Sequence, residues 1–203
     1  MVHGRGRRSS PLFSDMPRRG RLIVVSGPSG TGKTSVVEGL ALRHSFRFSV
    51  SMTTRPARPD EIEGIDYRFV DRPAFEQAVA AGEMVEWAEY SGHLYGTPEV
   101  AISGPLAEGE DVLLDIEERG ARQVREAFPE AVMVYLLPPS MEVLEQRLRG
   151  RKDTPEKEVR RRLAVAAWQI EEAQDLFDHF VVNGDLAAAI DEVAGILSAP
   201  RPS

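Results

Sequence analysis

The run Leu22-Ile23-Val24-Val25-Ser26, followed by Gly27-Pro28-Ser29-Gly30-Thr31-Gly32-Lys33-Thr34, decides the fold. Five apolar or small residues in unbroken succession, ending at a glycine, describe a strand buried on both faces, and such strands belong to parallel sheets covered by helices. The next eight residues match G-x-x-x-x-G-K-[ST], and a helix-compatible stretch runs from Lys33 to Arg43. Glycines let the chain curl until successive N–H groups face one concavity, to which the helix N-terminus adds its positive end. Lys33 supplies a mobile cation for terminal phosphates, and Thr34 a hydroxyl for Mg²⁺. The pattern predicts a nucleoside triphosphate site.

Outward from this loop, similar apolar runs recur at Val112–Ile116, Ala131–Leu137 and His179–Val182, separated by helix-period segments. Ser140 and Asp185 are positioned to cap two of those helices. Alternating buried strands and amphipathic helices predict an α/β domain of three layers with right-handed crossovers around a central parallel sheet. A carboxylate for Mg²⁺ is expected at the end of a neighbouring strand, and Val112-Leu113-Leu114-Asp115 provides Asp115. Residues 52–98 change to polar, turn-rich sequence and read as an inserted lobe, with a helix over 72–81 capped by Asp71 and stopped by Gly82. Residues 149–161 are dense in charge and predict a mobile, exposed segment between two helices. Gly104-Pro105 predicts a break or kink in the helix expected over 98–108.

Composition narrows the function. A chain of 203 residues with 42% hydrophobic and 28% charged residues makes one large globular domain. Zero cysteines exclude disulfides, thiolate zinc sites and a cysteine nucleophile, and four scattered histidines argue against a transition-metal cage. Residues 1–21 carry +5, which leaves −12 on the rest of a chain whose net charge is −7. So acidic a body repels nucleic acid, and no window approaches the length of a membrane span. Residues 1–20 read as an unpacked basic arm, a transit peptide or a contact for an anionic partner being the functional alternative. The domain proper is expected over 21–199, its core formed by 21–51 and 99–199, and a reducing compartment, the cytoplasm, is the expected location.

The inserted lobe opens with Ser51-Met52-Thr53-Thr54-Arg55-Pro56-Ala57-Arg58-Pro59, and Tyr67 follows. Two guanidinium forks in a proline-stiffened loop suit a phosphate dianion, as an acceptor that is itself a monophosphate requires. With E-W-A-E-Y over 86–90, Y-G-T over 95–97, L-L-P-P-S over 136–140, R-L-R-G-R over 147–151 and V-V-N over 181–183, the chain resembles guanylate kinases from about Arg21 to Leu197. The resemblance implies a P-loop kinase fold with a lobe for the acceptor nucleotide and a short lid. It implies phosphoryl transfer from ATP to GMP with Mg²⁺ as cofactor. Gly27, Pro28, Ser29, Gly30, Thr31, Gly32, Lys33 and Thr34 would then hold ATP, with Asn183 beside the adenine and Thr34 and Asp115 on the metal. Arg55, Arg58, Tyr67 and Tyr95 would hold the GMP phosphate, and Ser51, Glu86, Thr97 and Glu117 the guanine. Lys33, Arg147, Arg151 and Arg162 would neutralise charge on the transferring group, whereas Arg160 and Arg161 read as solvated.

Four positions depart from the family pattern. Glu117 stands where aspartate is usual, Arg119 where glutamine is, and Leu94 where a second tyrosine is common, while Gly104-Pro105 interrupts a helix. Arg119 either adds a cation near Asp115 or pairs with Glu118 away from the site. Taken without the resemblance, Glu86 reads as an exposed acid beside a packed Trp87. Other readings are a protein-binding module of the same fold, a kinase for another phosphorylated acceptor, and a nucleotide switch. Lys33, Thr34 and the lid arginines oppose the first, the trio Ser51, Glu86 and Thr97 the second, and the lack of a water-orienting glutamine or switch segment the third.

Overall fold

The computed structural model describes residues 19–150 and 155–199. Its central sheet is parallel throughout, in the order β2-β7-β1-β8-β9, where β1 is Leu22–Ser26, β2 Arg47–Phe48, β7 Val112–Asp115, β8 Val132–Leu137 and β9 His179–Val182. Every residue of β1, the middle strand, is buried, as its unbroken apolar run requires. Side chains alternate across the pleat, so Leu22 and Val24 face one layer and Ile23 and Val25 the other. The first layer packs helices α3 (Val100–Ala107), α4 (Glu118–Ala127) and α6 (Glu156–Ala173) through Ile102, Leu106, Val124 and Ala173. The second packs α1 (Lys33–Ala41) and α7 (Leu186–Ser198) through Val36, Leu40, Ile190, Val193 and Leu197.

The inserted lobe is a second sheet in the order β4-β3-β6-β5, built from β3 (Met52–Thr53), β4 (Arg68–Phe69), β5 (Met84–Tyr90) and β6 (His93–Pro98), with α2 (Arg72–Ala80) alongside. Asp71, Ser140 and Asp185 all cap helices as expected, accepting from the N–H groups of Ala74, Val143 and Ala188.

Two expectations are corrected. Helix α3 runs through Pro105 without a break. Proline there denies a donor only to the Ala101 carbonyl, while Ile102 and Leu106 are buried and Glu108 N–H closes the next turn on Gly104 C=O at 3.1 Å. Both described ends of the charged segment 149–161 enter helices: α5 (Met141–Arg149) reaches its first residue, and α6 begins at Glu156 and takes in residues 156–161. Acids and arginines three and four apart pair along that helix, Glu156 with Arg160 and Glu158 with Arg161 and Arg162. Val159, the lone apolar residue in the run, is buried against Leu144 and Leu148. The chain also joins the body slightly earlier than position 21, since Gly20 is buried and its N–H donates to Leu106 C=O at 2.8 Å. Residues 1–18 of the arm lie outside the described residues. Among the described residues no helix is long and apolar enough to cross a membrane.

Candidate active site

The loop after β1 depends on its glycines. Gly27, Gly30 and Gly32 have φ of 145°, 95° and 88°, the region in which side chains are strained. A Cβ on Gly27 would stand 2.5 Å from the Leu136 carbonyl oxygen. Gly32 precedes α1, which has no side-chain cap, so its first-turn N–H groups are left for an anion. Thr31 Oγ1 donates to Pro28 C=O at 2.8 Å and tightens the loop, and Lys33 Nζ donates to Gly27 C=O at 2.8 Å.

Asp115 ends β7, in register with Val25 of β1, beside the loop as expected. Burial raises its pKa, and the charge of Lys33 opposes that rise; no hydrogen bond contributes. A half-buried carboxylate lacking a donor, on the strand beside the loop that ends at Thr34, fits Mg²⁺, which takes one or two protein oxygens and completes its shell with phosphate and water.

The loop is also braced from outside. Asn183, buried just after β9, donates Nδ2–H to Thr31 C=O at 2.7 Å. Arg147 of α5 donates to Asn183 C=O at 2.8 Å and to Thr31 C=O at 3.4 Å. Arg147 thus reaches the loop, whereas Arg162 donates to Glu158 on its own helix at 2.8 Å and Arg151 lies outside the described residues.

In the lobe, Arg55, Tyr67 and Tyr95 come together. The Arg55 guanidinium lies 5.4 Å from the Tyr67 ring centre and 5.8 Å from that of Phe69, and the Tyr67 and Tyr95 rings are 6.1 Å apart. Tyr67 is within electrostatic reach of Asp115, so the cluster faces the phosphate loop's side of the molecule. Glu61, unnoticed in the sequence, holds Arg55 by two bonds of 2.9 and 2.7 Å and accepts the Arg58 N–H at 2.7 Å. Its pKa falls to about 2, chiefly through the Arg55 bonds. The sequence signal was there: an acid six residues after one arginine and three after the other. Arg58 itself is exposed, its guanidinium 3.8 Å from Glu61.

Glu86 sits on β5 at 5% exposure and its neighbour Trp87 at 40%, which reverses the order expected without the resemblance. Thr97 of β6, its partner across the ladder, donates Oγ1–H to Glu86 Oε1 at 2.6 Å. Burial raises the Glu86 pKa, and the Thr97 bonds oppose the rise. Gly120 in the first turn of α4 makes room for this carboxylate: a Cβ there would stand 2.5 Å from Glu86 Oε2. Ser51, half-buried just before β3, uses its C=O on the Arg68 N–H at 2.8 Å. Glu117, exposed at the N-cap of α4, lies within reach of the charges of Lys33 and Asp115. Leu94 is buried with Met52 and Phe75 in the lobe's core. Arg119 does not pair with Glu118. That carboxylate is buried and accepts from Tyr135 Oη at 2.6 Å and Gln169 Nε2 at 2.8 Å.

A triphosphate loop after the central strand of a parallel sheet, faced by a lobe of guanidinium and carboxylate groups, defines a P-loop kinase architecture. Residues 19–200 match the family model described as guanylate kinase. Curated guanylate kinases from Thermus thermophilus and a Synechococcus strain are 51% and 46% identical over 185 residues each, spanning 90% and 91% of this chain and 83% and 85% of those proteins. The crystal structure of guanylate kinase from Anaplasma phagocytophilum superposes with a TM-score of 0.71 at 33% identity, covering 92% of this chain and 88% of that one. The chain belongs to the guanylate kinase family.

Proposed function

We propose that this chain transfers the γ-phosphoryl group of ATP to GMP, giving ADP and GDP, within the cytoplasm. Glu86 carries the reading. A buried carboxylate fixed by Thr97 presents adjacent acceptors, which suits the N1–H and N2–H pair of guanine; adenine has an unprotonated N1 there. A site built on such bonds rejects the wrong base by about 10⁴, because its polar groups are left unpaired. Ser51, Thr97 and Glu117 add contacts to the base, and Arg55, Arg58, Tyr67 and Tyr95 hold the acceptor phosphate. The loop from Gly27 to Thr34 holds the donor.

In the transfer, an oxygen of the GMP phosphate forms the new P–O bond as the bond from the γ-phosphorus to the bridging oxygen of ADP breaks. A phosphate monoester with a second pKa of about 6 is largely dianionic at neutral pH, so no strong general base is required. Lys33, Arg147, Arg151 and Arg162 spread the charge of the transferring group, which requires Arg162 to exchange Glu158 for phosphate as segment 149–161 closes. Thr34 and Asp115 would hold Mg²⁺, which would neutralise phosphate charge. Closure of the lobe, residues 52–98, excludes water that would otherwise make the enzyme an ATPase.

The test is ADP release from ATP and Mg²⁺ with GMP, AMP, CMP or no acceptor, on the full chain and on one starting at Arg19. GMP-dependent turnover that survives truncation is expected; preference for another acceptor overturns the reading.

A further inference from the structure

Asn183 leaves β9 with its N–H on Leu137 C=O at 2.8 Å and its side chain at 5% exposure. A carboxamide enclosed there is expected to satisfy its donors within the protein. It spends Nδ2 on the Thr31 carbonyl at 2.7 Å, and the same nitrogen lies 2.6 Å from where a Cβ on Gly32 would stand. Arg147 completes the knot by donating to the carbonyls of both Asn183 and Thr31. Three segments far apart in sequence therefore converge on one peptide unit of the phosphate loop. In a planar trans peptide the C=O of Thr31 and the N–H of Gly32 point in opposite directions. A donor that fixes the carbonyl outward turns the Gly32 N–H inward.

We infer that Asn183 is a positioning residue of the donor site, orienting the peptide between Thr31 and Gly32 so that the Gly32 N–H meets the triphosphate. The inference rests on the use of this loop for ATP. It separates Asn183 from the task that the resemblance suggested, contact with the adenine. A residue that sets loop geometry acts on any polyphosphate, whereas one that reads the base acts only on a nucleotide that has one.

The deciding comparison is between Mg-ATP and Mg-tripolyphosphate, which lacks a base, each displacing a fluorescent ATP analogue from the full chain. Asn183→Leu keeps the side chain's shape and removes its donor; Asn183→Ala serves as the second variant should leucine impair folding, which circular dichroism reports. Both ligands are expected to weaken by the same factor, about tenfold, the loss of one hydrogen bond. The KM for GMP should stay within about twofold, the acceptor site being untouched. Weakened ATP with unchanged tripolyphosphate would overturn the inference in favour of a base contact, and two unchanged affinities would overturn it outright. Wild-type protein that forms ADP without needing GMP would instead count against the proposed reaction and leave this comparison valid.

Discussion

Glu86 and Gly120 act as a pair, because the carboxylate occupies the space that any side chain at 120 would need. Gly120→Ala places a methyl 2.5 Å from Glu86 Oε2, and the flexible glutamate yields before the backbone does. A displacement of about 1 Å at a preorganised contact is costly, so the KM for GMP should rise about tenfold or more while the KM for ATP holds. Steady-state kinetics with each substrate varied in turn will show the split. The raised pKa of Glu86 makes a second prediction. An acid whose folded pKa is raised binds its proton more tightly when folded, so its effect on stability favours low pH and is lost as pH rises through the raised value. Base recognition runs the other way, since the ionised form is the acceptor. Guanosine, which has no phosphate to titrate, should therefore inhibit less well as pH falls through that raised value, starting above the ordinary glutamate value of 4.5. Glu86→Gln should bind guanosine weakly at every pH and show no such slope; an unchanged slope would remove Glu86 from the base site. Glu61 gives a third test. Freed of its partner, Arg55 gains mobility, and Glu61→Gln should raise the KM for GMP about three- to tenfold with guanosine inhibition unchanged, a charge-assisted contact having been loosened.

At the scale of elements, continuous apolar runs and capping residues were legible in the sequence because local forces set them. The strands β1, β7, β8 and β9 fall within a residue or so of their expected places, and all three proposed caps form. What local reasoning misjudged was decided by packing. Pro105 and Gly104 are both poor helix residues, yet Ile102 and Leu106 are buried on one side of α3 and the helix persists. Apart from its chain neighbours and its own helix backbone, no heavy atom lies within 4 Å of a Cβ built on Gly104, but that Cβ would crowd the ring of Pro105. Gly104→Ala should therefore change stability by less than about 1 kcal/mol in urea unfolding, the helix propensity gained being opposed by this contact, with kinetics unchanged. The start of α6 was read as part of the charged segment for a related reason: one valine at 159, invisible in a composition count, anchors the first turns of α6 to α5. Strand β5 shows a further contact that pattern cannot reveal. It is an edge of the lobe's sheet, and Gln123 of α4 meets its exposed peptide groups, accepting from Trp87 N–H at 3.2 Å and donating to Trp87 C=O at 2.9 Å. A side-chain amide there does the work of another strand.

Across the whole molecule, the donor half of the site was readable from one contiguous motif, and the acceptor half was not. Glu86 and Gly120 meet only because β5 lies against α4, a long-range contact carried by no spacing in the chain. The same division applies at the opposite end of the sheet, where a polar knot went unseen. Asp111, just before β7, accepts from Arg21 N at 2.8 Å and from Arg21 Nε and Nη2 at 3.2 and 2.9 Å, while His44 Nε2 lies 3.1 Å from its Oδ2. It ties together the entries to β1 and β7 and the exit from α1. Burial alone would raise the Asp111 pKa, but the bonds from Arg21 and His44 outweigh it and the net shift is downward from 3.8. For an acid with a depressed folded pKa, the stabilisation is complete above the unfolded value and is lost as pH falls through the folded one. Asp111→Asn keeps the size and removes the charge, leaving the Arg21 guanidinium at 10% exposure without its counter-ion. The expected loss near neutral pH is about 1–3 kcal/mol by urea denaturation. Because the charge is gone, the gap between variant and wild type should close as pH drops below 3.8. Phosphoryl transfer should be unaffected at temperatures where both proteins are folded, since Asp111 precedes β7 and Asp115, the proposed metal ligand, stands at its far end. A variant of equal stability at neutral pH, or one whose deficit persists unchanged in acid, would mean that this knot contributes nothing to holding the sheet together.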